Sequence, residues 1–485
     1  MAMPSLGLVA IAATSLLACE MLPDAAAVGD GEHQEPLYAT GPIWPSQDIR
    51  VCFETGLDAR FGTGFPQATS SVANFATYKQ WIREAVEDSW GRVSGLRFVD
   101  WSDCPSNDDS KMSGWVAIYW QANSITNIGW SRDTWTRMGL RRPSDLTEAS
   151  RIDFEATVRH EMGHALGFAH ELDRVDAHTG APADCDYGAN IPGTIFTPND
   201  PASIMNWSYC SEATGQLSAW DVIGVQKVYG RKASGTIVGL GGRCVNVPAS
   251  QINEQLIAYD CYGLSNDTWT RFDGPAIAFV SKIARLAYLV ADSPVNPWGT
   301  PVRAANTLGA WHLDNVQWRA FGEMCVSVHA SEVGQQLVLA TCDPGSKLQR
   351  WNFDNMSRLR LANTQLCVNA WGGTDAVGTD LRLFDCGDFD NETFTTSSRG
   401  EIKYHNRCFE AWGGVPEVDA AIRLNDCNPG AAPHPNDVFH LRGSIVSAKS
   451  DQCLDMTGGV SRNGIGIEVY PCVSGARNQE WDVNF

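Results

Sequence analysis

Residues 160–176 read His160-Glu161-Met162-Gly163-His164-Ala165-Leu166-Gly167-Phe168-Ala169-His170-Glu171-Leu172-Asp173-Arg174-Val175-Asp176. Phe154, Val158, Met162, Ala165 and Leu166 set an apolar stripe on one face of a helix, with Asp153 placed as its N-cap. His160 and His164 then stand one turn apart, about 6 Å along the axis, so both imidazoles can reach one metal ion. Glu161 sits beside them, placed to hold a water on that metal. Gly167 takes the left-handed conformation that ends a helix, and the turn brings His170 round as a third nitrogen ligand. Three protein ligands leave one position open, which marks a catalytic rather than a structural zinc site. Zinc lowers the pKa of bound water to roughly 7, and Glu161 is placed to take its proton as the water attacks a peptide carbonyl.

The extended pattern resembles the metzincin metallopeptidases, in which H-E-x-x-H-x-x-G-x-x-H is followed by a Met-turn. Ser203-Ile204-Met205-Asn206 matches that turn, 35 residues beyond His170. The resemblance implies that Met205 forms an apolar floor beneath the metal. Leu217 to Val222, running on to Val228-Tyr229-Gly230, resembles the closing helix shared by astacins and matrixins. Glu171, Arg174 and Asp176 match the astacin continuation E-x-x-R-x-D. Astacins also carry a tyrosine two residues after the methionine. Trp207 holds that position here, and Tyr209, two residues later, is the side chain that would take the role.

Outward from this centre, residues 37–230 read as an α/β peptidase domain. Strands are expected at Arg50–Glu54, Gly95–Trp101 and Trp115–Trp120, with an amphipathic helix over Tyr78–Trp90. An edge strand around Asn127–Ser131 is expected to pair with an extended substrate. Setting Cys19 aside, four cysteines precede residue 231, and three pairings are open to them; Cys52–Cys104 with Cys185–Cys210 is the preferred one, the second holding the Met-turn loop.

The C-terminal half repeats. Trp269, Trp311, Trp351, Phe394, Phe439 and Trp481 recur at intervals of 42, 40, 43, 45 and 42 residues. Ten cysteines fall into Cys244–Cys261, Cys325–Cys342, Cys367–Cys386, Cys408–Cys427 and Cys453–Cys472, with gaps of 17, 17, 19, 19 and 19. Regular gaps without any C-x-x-C indicate disulfides of an oxidising compartment, each worth about 3 kcal/mol at this loop length. Short strand-like runs separated by Gly, Asn and Asp make the units β-rich, and such units must pack on one another.

Cys453-Leu454-Asp455, Tyr470-Pro471-Cys472 and Gln479-Glu480-Trp481 resemble the ricin-type β-trefoil lectins with their Q-x-W signature, which Gln349-Arg350-Trp351 repeats. Three units make one trefoil, so six imply two, expected at 232–355 and 356–485. The resemblance implies carbohydrate binding in the last unit by Asp455, Glu468, Tyr470 and Asn478. The first unit offers Asn246, Tyr259 and Asn266, the fourth Asn369 and Phe384, the fifth Glu410 and Asn425, and the third Ser327 and Ala340.

Thirty-six Lys plus Arg against 56 Asp plus Glu leave a formal charge of −20 on 485 residues, which argues against phosphate-driven nucleic-acid binding. Leu6–Ala18 is too short to span a bilayer and right for a signal-peptide core. Residues 1–18 therefore read as a signal peptide whose end, Leu16-Leu17-Ala18-Cys19, resembles the lipobox of bacterial lipoproteins. That makes Cys19 a lipidation site, and 19–36 a tether or short pro-segment. The expectation is a multidomain protein, an α/β metzincin catalytic domain followed by two all-β trefoils. It would be exported, extracellular or a cell-surface lipoprotein, touching membrane only through that anchor. It would bind one Zn2+ and cleave protein or glycoprotein substrates held through their carbohydrate. The rival reading is a catalytically inactive, carbohydrate-binding adhesin.

Overall fold

A computed structural model describes residues 35–55, 57–58, 62–63, 73–105, 112–131, 133–174, 192–206, 214–233, 235–272, 278–283, 287–291, 299–307, 309–313, 315–353, 358–397, 399–428, 433–448 and 450–484. Cys19, Cys185, Trp207, Tyr209 and Cys210 lie outside the described residues, as do the expected signal peptide and the tether up to residue 34, while Glu35 and Pro36 at the end of that tether belong to the first strand.

The N-terminal unit opens with strands β1 (Glu35–Ala39), β2 (Asp48–Phe53), β3 (Leu57–Asp58) and β4 (Gly62–Thr63), then helix α1 (Ala73–Val86). A π-helical turn over Glu87–Gly91 leads to β5 (Arg97–Asp103), β6 (Trp115–Trp120), β7 (Ile125–Thr126) and β8 (Thr136–Leu140). Helix α2 (Glu148–Ala165), strand β9 (Thr194–Thr197) and helix α3 (Ala219–Tyr229) complete it. β5, β2, β6 and β8 run parallel, and β7 adds an antiparallel edge beside β8. Every residue of β6 and β8 is buried, as parallel strands covered on both faces require. Helix α1 covers the sheet with Tyr78, Trp81, Ile82, Ala85 and Val86, and α2 packs against it through Phe154, Val158 and Met162. The expected edge strand at Asn127–Ser131 forms instead at Ile125–Thr126, and Asn127 follows it with its N–H on the Arg137 carbonyl.

Helix α2 begins earlier than the apolar stripe suggests. Thr147 is its N-cap, accepting the Ser150 N–H at 3.3 Å, and Asp153 lies inside the helix. The stripe marks only the part that touches the core, so it cannot locate the exposed first turn.

The trefoil half corrects the expected partition. In the first repeat Ile237–Val238 pairs with Trp481–Asn484 of the sixth, and Trp269–Phe272 pairs with Ala278–Ser281 of the second. The second repeat closes the ring, Trp311–His312 pairing with Val446–Ser447 of the sixth. Repeats three to five form the other ring. Val316–Arg319 pairs with His440–Gly443, Arg350–Phe353 with Leu359–Leu361, and Thr395–Thr396 with Ile402–Tyr404. Each ring also has its own three-way contact between hairpins, Gln336 with Arg382, Val338 with Ala421 and Asp380 with Arg423 in the central one. The strand pairing thus draws a contiguous trefoil inside a discontinuous one, rather than the consecutive 232–355 and 356–485. Six similar units are nearly interchangeable in sequence; which three share a core is decided by long-range pairing that no single repeat encodes.

Within the repeats, the indole N–H of Trp269, Trp311, Trp351 and Trp481 each donates to a carbonyl 22 to 27 residues earlier, at 2.8–3.0 Å. Gln349 and Gln479 each accept an N–H from the loop after the second cysteine at 2.8 Å. Where glutamine is missing, an acid does the same work: Asp267 accepts Tyr262 N–H at 2.7 Å, and Glu392 accepts Gly387 N–H at 2.8 Å. Among the described residues six disulfides are present, Cys52–Cys104 and all five expected repeat pairs.

The two halves meet through buried ion pairs. Glu87 in the π-helical turn takes Arg243 at 2.5 Å and the Ser461 hydroxyl at 2.7 Å, while Arg92 reaches Asp482 at 2.6 Å. These ion pairs lie on the first and sixth repeats, and the third adds an apolar contact, Trp220 of α3 against Phe321 with ring centroids 6.3 Å apart. Among the described residues no helix is long and apolar enough to cross a membrane.

Candidate functional site

Helix α2 ends where three histidines must meet. Leu166 is its C-cap, and Gly167 follows with φ +105°, a conformation that suits glycine. Phe168 N–H returns to the Gly163 carbonyl at 3.0 Å, which reverses the chain and carries His170 back over the helix. The Nε2 atoms of His160, His164 and His170 end 3.1–3.2 Å from one another. His160 Nδ1 faces the Ile204 carbonyl at 2.6 Å and His164 Nδ1 faces the Phe168 carbonyl at 2.8 Å. A carbonyl can only accept, so these two rings carry their proton on Nδ1 and present bare Nε2 lone pairs. Burial holds all three imidazoles neutral, with His170 pushed down to about 3. Converging lone pairs with no donor between them suit a cation. Tetrahedral zinc with Zn–N of about 2.05 Å would set the nitrogens about 3.3 Å apart, close to the spacing found.

Glu161 is 3% exposed, and its Oε2 has no hydrogen-bond partner among the described residues. Burial pushes its carboxyl up to about 7, partly offset by the Thr126 hydroxyl. A carboxyl near neutrality is suited to accept and return a proton.

Met205 is fully buried, its Sδ against Gly163 of the histidine helix. A side chain at position 163 would collide with its Sδ and crowd the Trp90 ring, so Gly163 is what lets the methionine approach the helix. The turn itself is fastened by Asp221, which sequence reading missed. Asp221 accepts the Ser203 hydroxyl at 2.6 Å and the Ile204 and Ser218 N–H groups at 2.8 Å each. Since the Ile204 carbonyl also orients His160, Asp221 fixes one histidine through a single residue. The readable signal was the capping box of α3, Ser218 with Asp221 three residues on. Glu171 makes a second fastening. It holds the fully buried Arg174 at 2.8 Å, and its own N–H reaches the Met205 carbonyl at 3.2 Å.

In the sixth repeat, Asp455 and Glu468 are cross-strand partners, as are Cys453 and Tyr470. Asp455 accepts the Asn478 and Gln479 amides at 2.8 Å each, and burial raises both the Asp455 and Glu468 carboxyls. Tyr470 is 38% exposed beside them. Three of the four expected residues thus share one hairpin, and Asn478 joins them from the short turn Arg477–Gln479 through its amide on Asp455. In the first and fourth repeats the matching pairs also touch, Asn246 with Asn266 and Asn369 with Asn391, whereas in the fifth Glu410 accepts the amide of Asn425, which stands where the sixth repeat has the Tyr470 ring.

Residues 355–481 match the ricin-type beta-trefoil lectin domain family, so the C-terminal half contains a carbohydrate-binding lectin domain. The matched stretch covers repeats four to six as they follow in the chain, although the sixth folds with the first two. No curated protein matches the sequence. A non-toxic homologue of type II RIPs from Momordica charantia (bitter gourd), in complex with α-methyl-D-galactoside, is 14% identical. It covers 43% of this chain and 96% of its own, with a TM-score of 0.23. High choriolytic enzyme 1, a hatching-enzyme zinc protease of Oryzias latipes (medaka), is 17% identical over 37% of this chain and 87% of its own, with a TM-score of 0.24. Myroilysin is 19% identical over 39% and 96%, with a TM-score of 0.26. The six disulfides and the lectin domain are consistent with an extracellular protein.

Proposed function

We propose that the chain is an exported zinc endopeptidase of astacin-like metzincin type, held on glycosylated substrates by its trefoils. The observation that carries the reading is the convergence of three Nε2 atoms, those of His160 and His164 bare, beside a buried, unpaired carboxylate oxygen. In this reading residues 37–230 are the peptidase, and His160, His164 and His170 hold the metal over Met205. A bound zinc ion would supply Lewis-acid polarisation for attack on a peptide carbonyl. Glu161 takes the proton of the attacking water and returns it to the leaving amine. Strand β7 leaves one edge unpaired by any strand among the described residues, and an extended substrate adds there. Tyr209 as the partner of the tetrahedral intermediate, the Cys185–Cys210 disulfide, residues 1–18 as signal peptide and Cys19 as lipid anchor belong to the same proposal.

Incubating the full chain with casein and a mucin, with and without a zinc chelator, tests it. Cleavage of both that stops on chelation and returns with added zinc is expected. Cleavage indifferent to the chelator would end the zinc reading. No cleavage by zinc-loaded protein would favour the adhesin, for which Trp207 at the tyrosine position is the specific support.

The lectin site is Asp455, Glu468, Tyr470 and Asn478 in this proposal. Carboxylate and amide fix sugar hydroxyls while the ring covers an apolar C–H face. Asp455→Ala and Tyr470→Ala in the full chain should each weaken glycan-array retention by about tenfold or more. The full chain is needed, because the sixth repeat packs with the first two and a 356–485 fragment would lack its partners. Retention unchanged in both variants would move the sugar site elsewhere.

A further inference from the structure

The fifth repeat buries a carboxylate that the fold leaves unanswered. Asp437 stands two residues before the closing Phe439, where the first, third, fourth and sixth repeats have Asp267, Gln349, Glu392 and Gln479. Each of those four accepts an N–H from the residue that follows its second cysteine. Asp437 is 0% exposed, and neither of its oxygens has a hydrogen-bond partner among the described residues. His434 Nδ1 lies 3.7 Å from Oδ2, beyond hydrogen-bond distance and on a ring that is 57% exposed. Arg399 is gripped by Glu401 at 2.7 Å.

The repeats agree on where this side chain points. In the fourth, fifth and sixth, an asparagine of the closing turn donates its amide to the carbonyl three residues after the first cysteine. Asn391 reaches Ala370 at 2.9 Å, Asn436 reaches Ala411 at 3.1 Å and Asn478 reaches Met456 at 3.4 Å. The residue after that asparagine then meets the side chain two after the same cysteine: Glu392 takes the Asn369 amide at 3.3 Å, and Gln479 gives its amide to Asp455 at 2.8 Å. The same register in the fifth repeat sets Asp437 against Glu410, which is 7% exposed. Where the fourth and sixth repeats match a carboxylate with an amide, the fifth has two carboxylates. Burial, with Glu410 and then Glu401 close by, pushes the Asp437 carboxyl up to about 7. Asn425, standing where the sixth repeat has the Tyr470 ring, gives its amide to Glu410. The stacking ring of a sugar site is gone, and carboxylate oxygens remain. Buried charges in proteins are paired or hold a metal. A hard divalent cation takes oxygen ligands, with water completing its about six to eight positions.

We propose that the fifth repeat binds one calcium ion between the carboxylates of Glu410 and Asp437. The site shares no residue with the histidine centre or with the sixth-repeat sugar site. The ion does the work of the amide that joins the matching positions in the sixth repeat, and it fastens the turn Pro435–Asp437 to the strand Arg407–Ala411.

The test is calorimetric titration of the full chain, dialysed free of metal against EGTA, with calcium chloride. Magnesium chloride and sodium chloride at matched ionic strength are the other arms. Saturable binding of one calcium per chain is expected, tighter than magnesium and absent with sodium. The histidine centre offers only nitrogen, which calcium takes poorly. Asp437→Gln places here the residue that the third and sixth repeats already carry, so the chain should still fold, and calcium affinity should fall by about tenfold or more. Glu410→Gln should act alike, and it serves if the first variant does not fold; circular dichroism reports on both. Calcium should also raise the unfolding midpoint of the wild type and leave the variants where they were. No saturable calcium binding to the wild-type chain, a preference for magnesium, or wild-type calcium affinity in a folded variant overturns the proposal. None of these readouts depends on peptidase activity.

Discussion

Glu161→Gln is expected to slow casein cleavage by roughly two to four orders of magnitude while the protein still binds one zinc per chain. The carboxyl is buried and its Oε2 meets no donor among the described residues, and its contact with the Thr126 hydroxyl is one that a glutamine oxygen can keep. Glutamine keeps its shape and removes only the capacity to take a proton. The variant should be as stable as the wild type or slightly more so, because an ionisable group in this position bears a desolvation cost that an amide avoids. The pH profile separates this role from a merely structural one. Wild-type kcat/KM should rise with pH as the carboxyl ionises. Bound metal would draw that step below the value of about 7 that burial alone produces. The residual activity of Glu161→Gln should lack this step. Wild-type rates in the variant, with zinc still bound, would remove Glu161 from the chemistry and leave the histidines without a proton acceptor.

The site was legible because its main parts are local. His160 and His164 are joined by helix periodicity, and Gly167 reaches +105° where a helix has to end, so His170 is brought in by four residues of backbone. The parts that escaped notice are distant in sequence. Asp221 orients His160 from 61 residues away through Ile204, and it resembles any helix-capping acid until the Met-turn is seen packed upon it. The tautomers of His160 and His164 are set by two carbonyls, which a sequence does not display. The trefoil half follows the same division. Cysteine pairs 17 or 19 residues apart could be read directly, since each closes one hairpin. That Ile237–Val238 would choose Trp481–Asn484 could not, since every repeat offers a similar closing strand. Asp267 and Glu392 standing in for the glutamine of Q-x-W escaped for another reason: the pattern names an amide, whereas the loop N–H needs only an acceptor oxygen.

His164→Ala should abolish stoichiometric zinc binding and, with it, peptidase activity. His164 is the most enclosed of the three positions, 3% exposed, with its ring edge-on to both neighbours at centroid distances of 4.7 and 4.6 Å. Removing it leaves two nitrogens 3.2 Å apart and a gap in place of the third. Two ligands do not retain zinc against a chelator that three withstand. The metal-free wild type supplies a second readout that does not depend on activity. All three histidines are held neutral in the folded chain, their pKa lowered from the ordinary value of about 6.5 by burial. Below that ordinary value the unfolded chain gains protons that the folded chain refuses, so stability declines as pH falls from about 6.5 toward about 3, the value to which burial lowers His170. Each histidine that stays neutral should cost about 2 kcal/mol on going from pH 7 to pH 5. Urea unfolding of metal-free protein at the two pH values should therefore show a shallower acid loss in His164→Ala, by about one histidine's share. Adding zinc at pH 7 should raise the unfolding midpoint of the wild type and leave the variant where it was. One equivalent of zinc retained in dialysed His164→Ala would mean that the metal lies elsewhere, and the three-histidine centre would then have no claim to the chemistry.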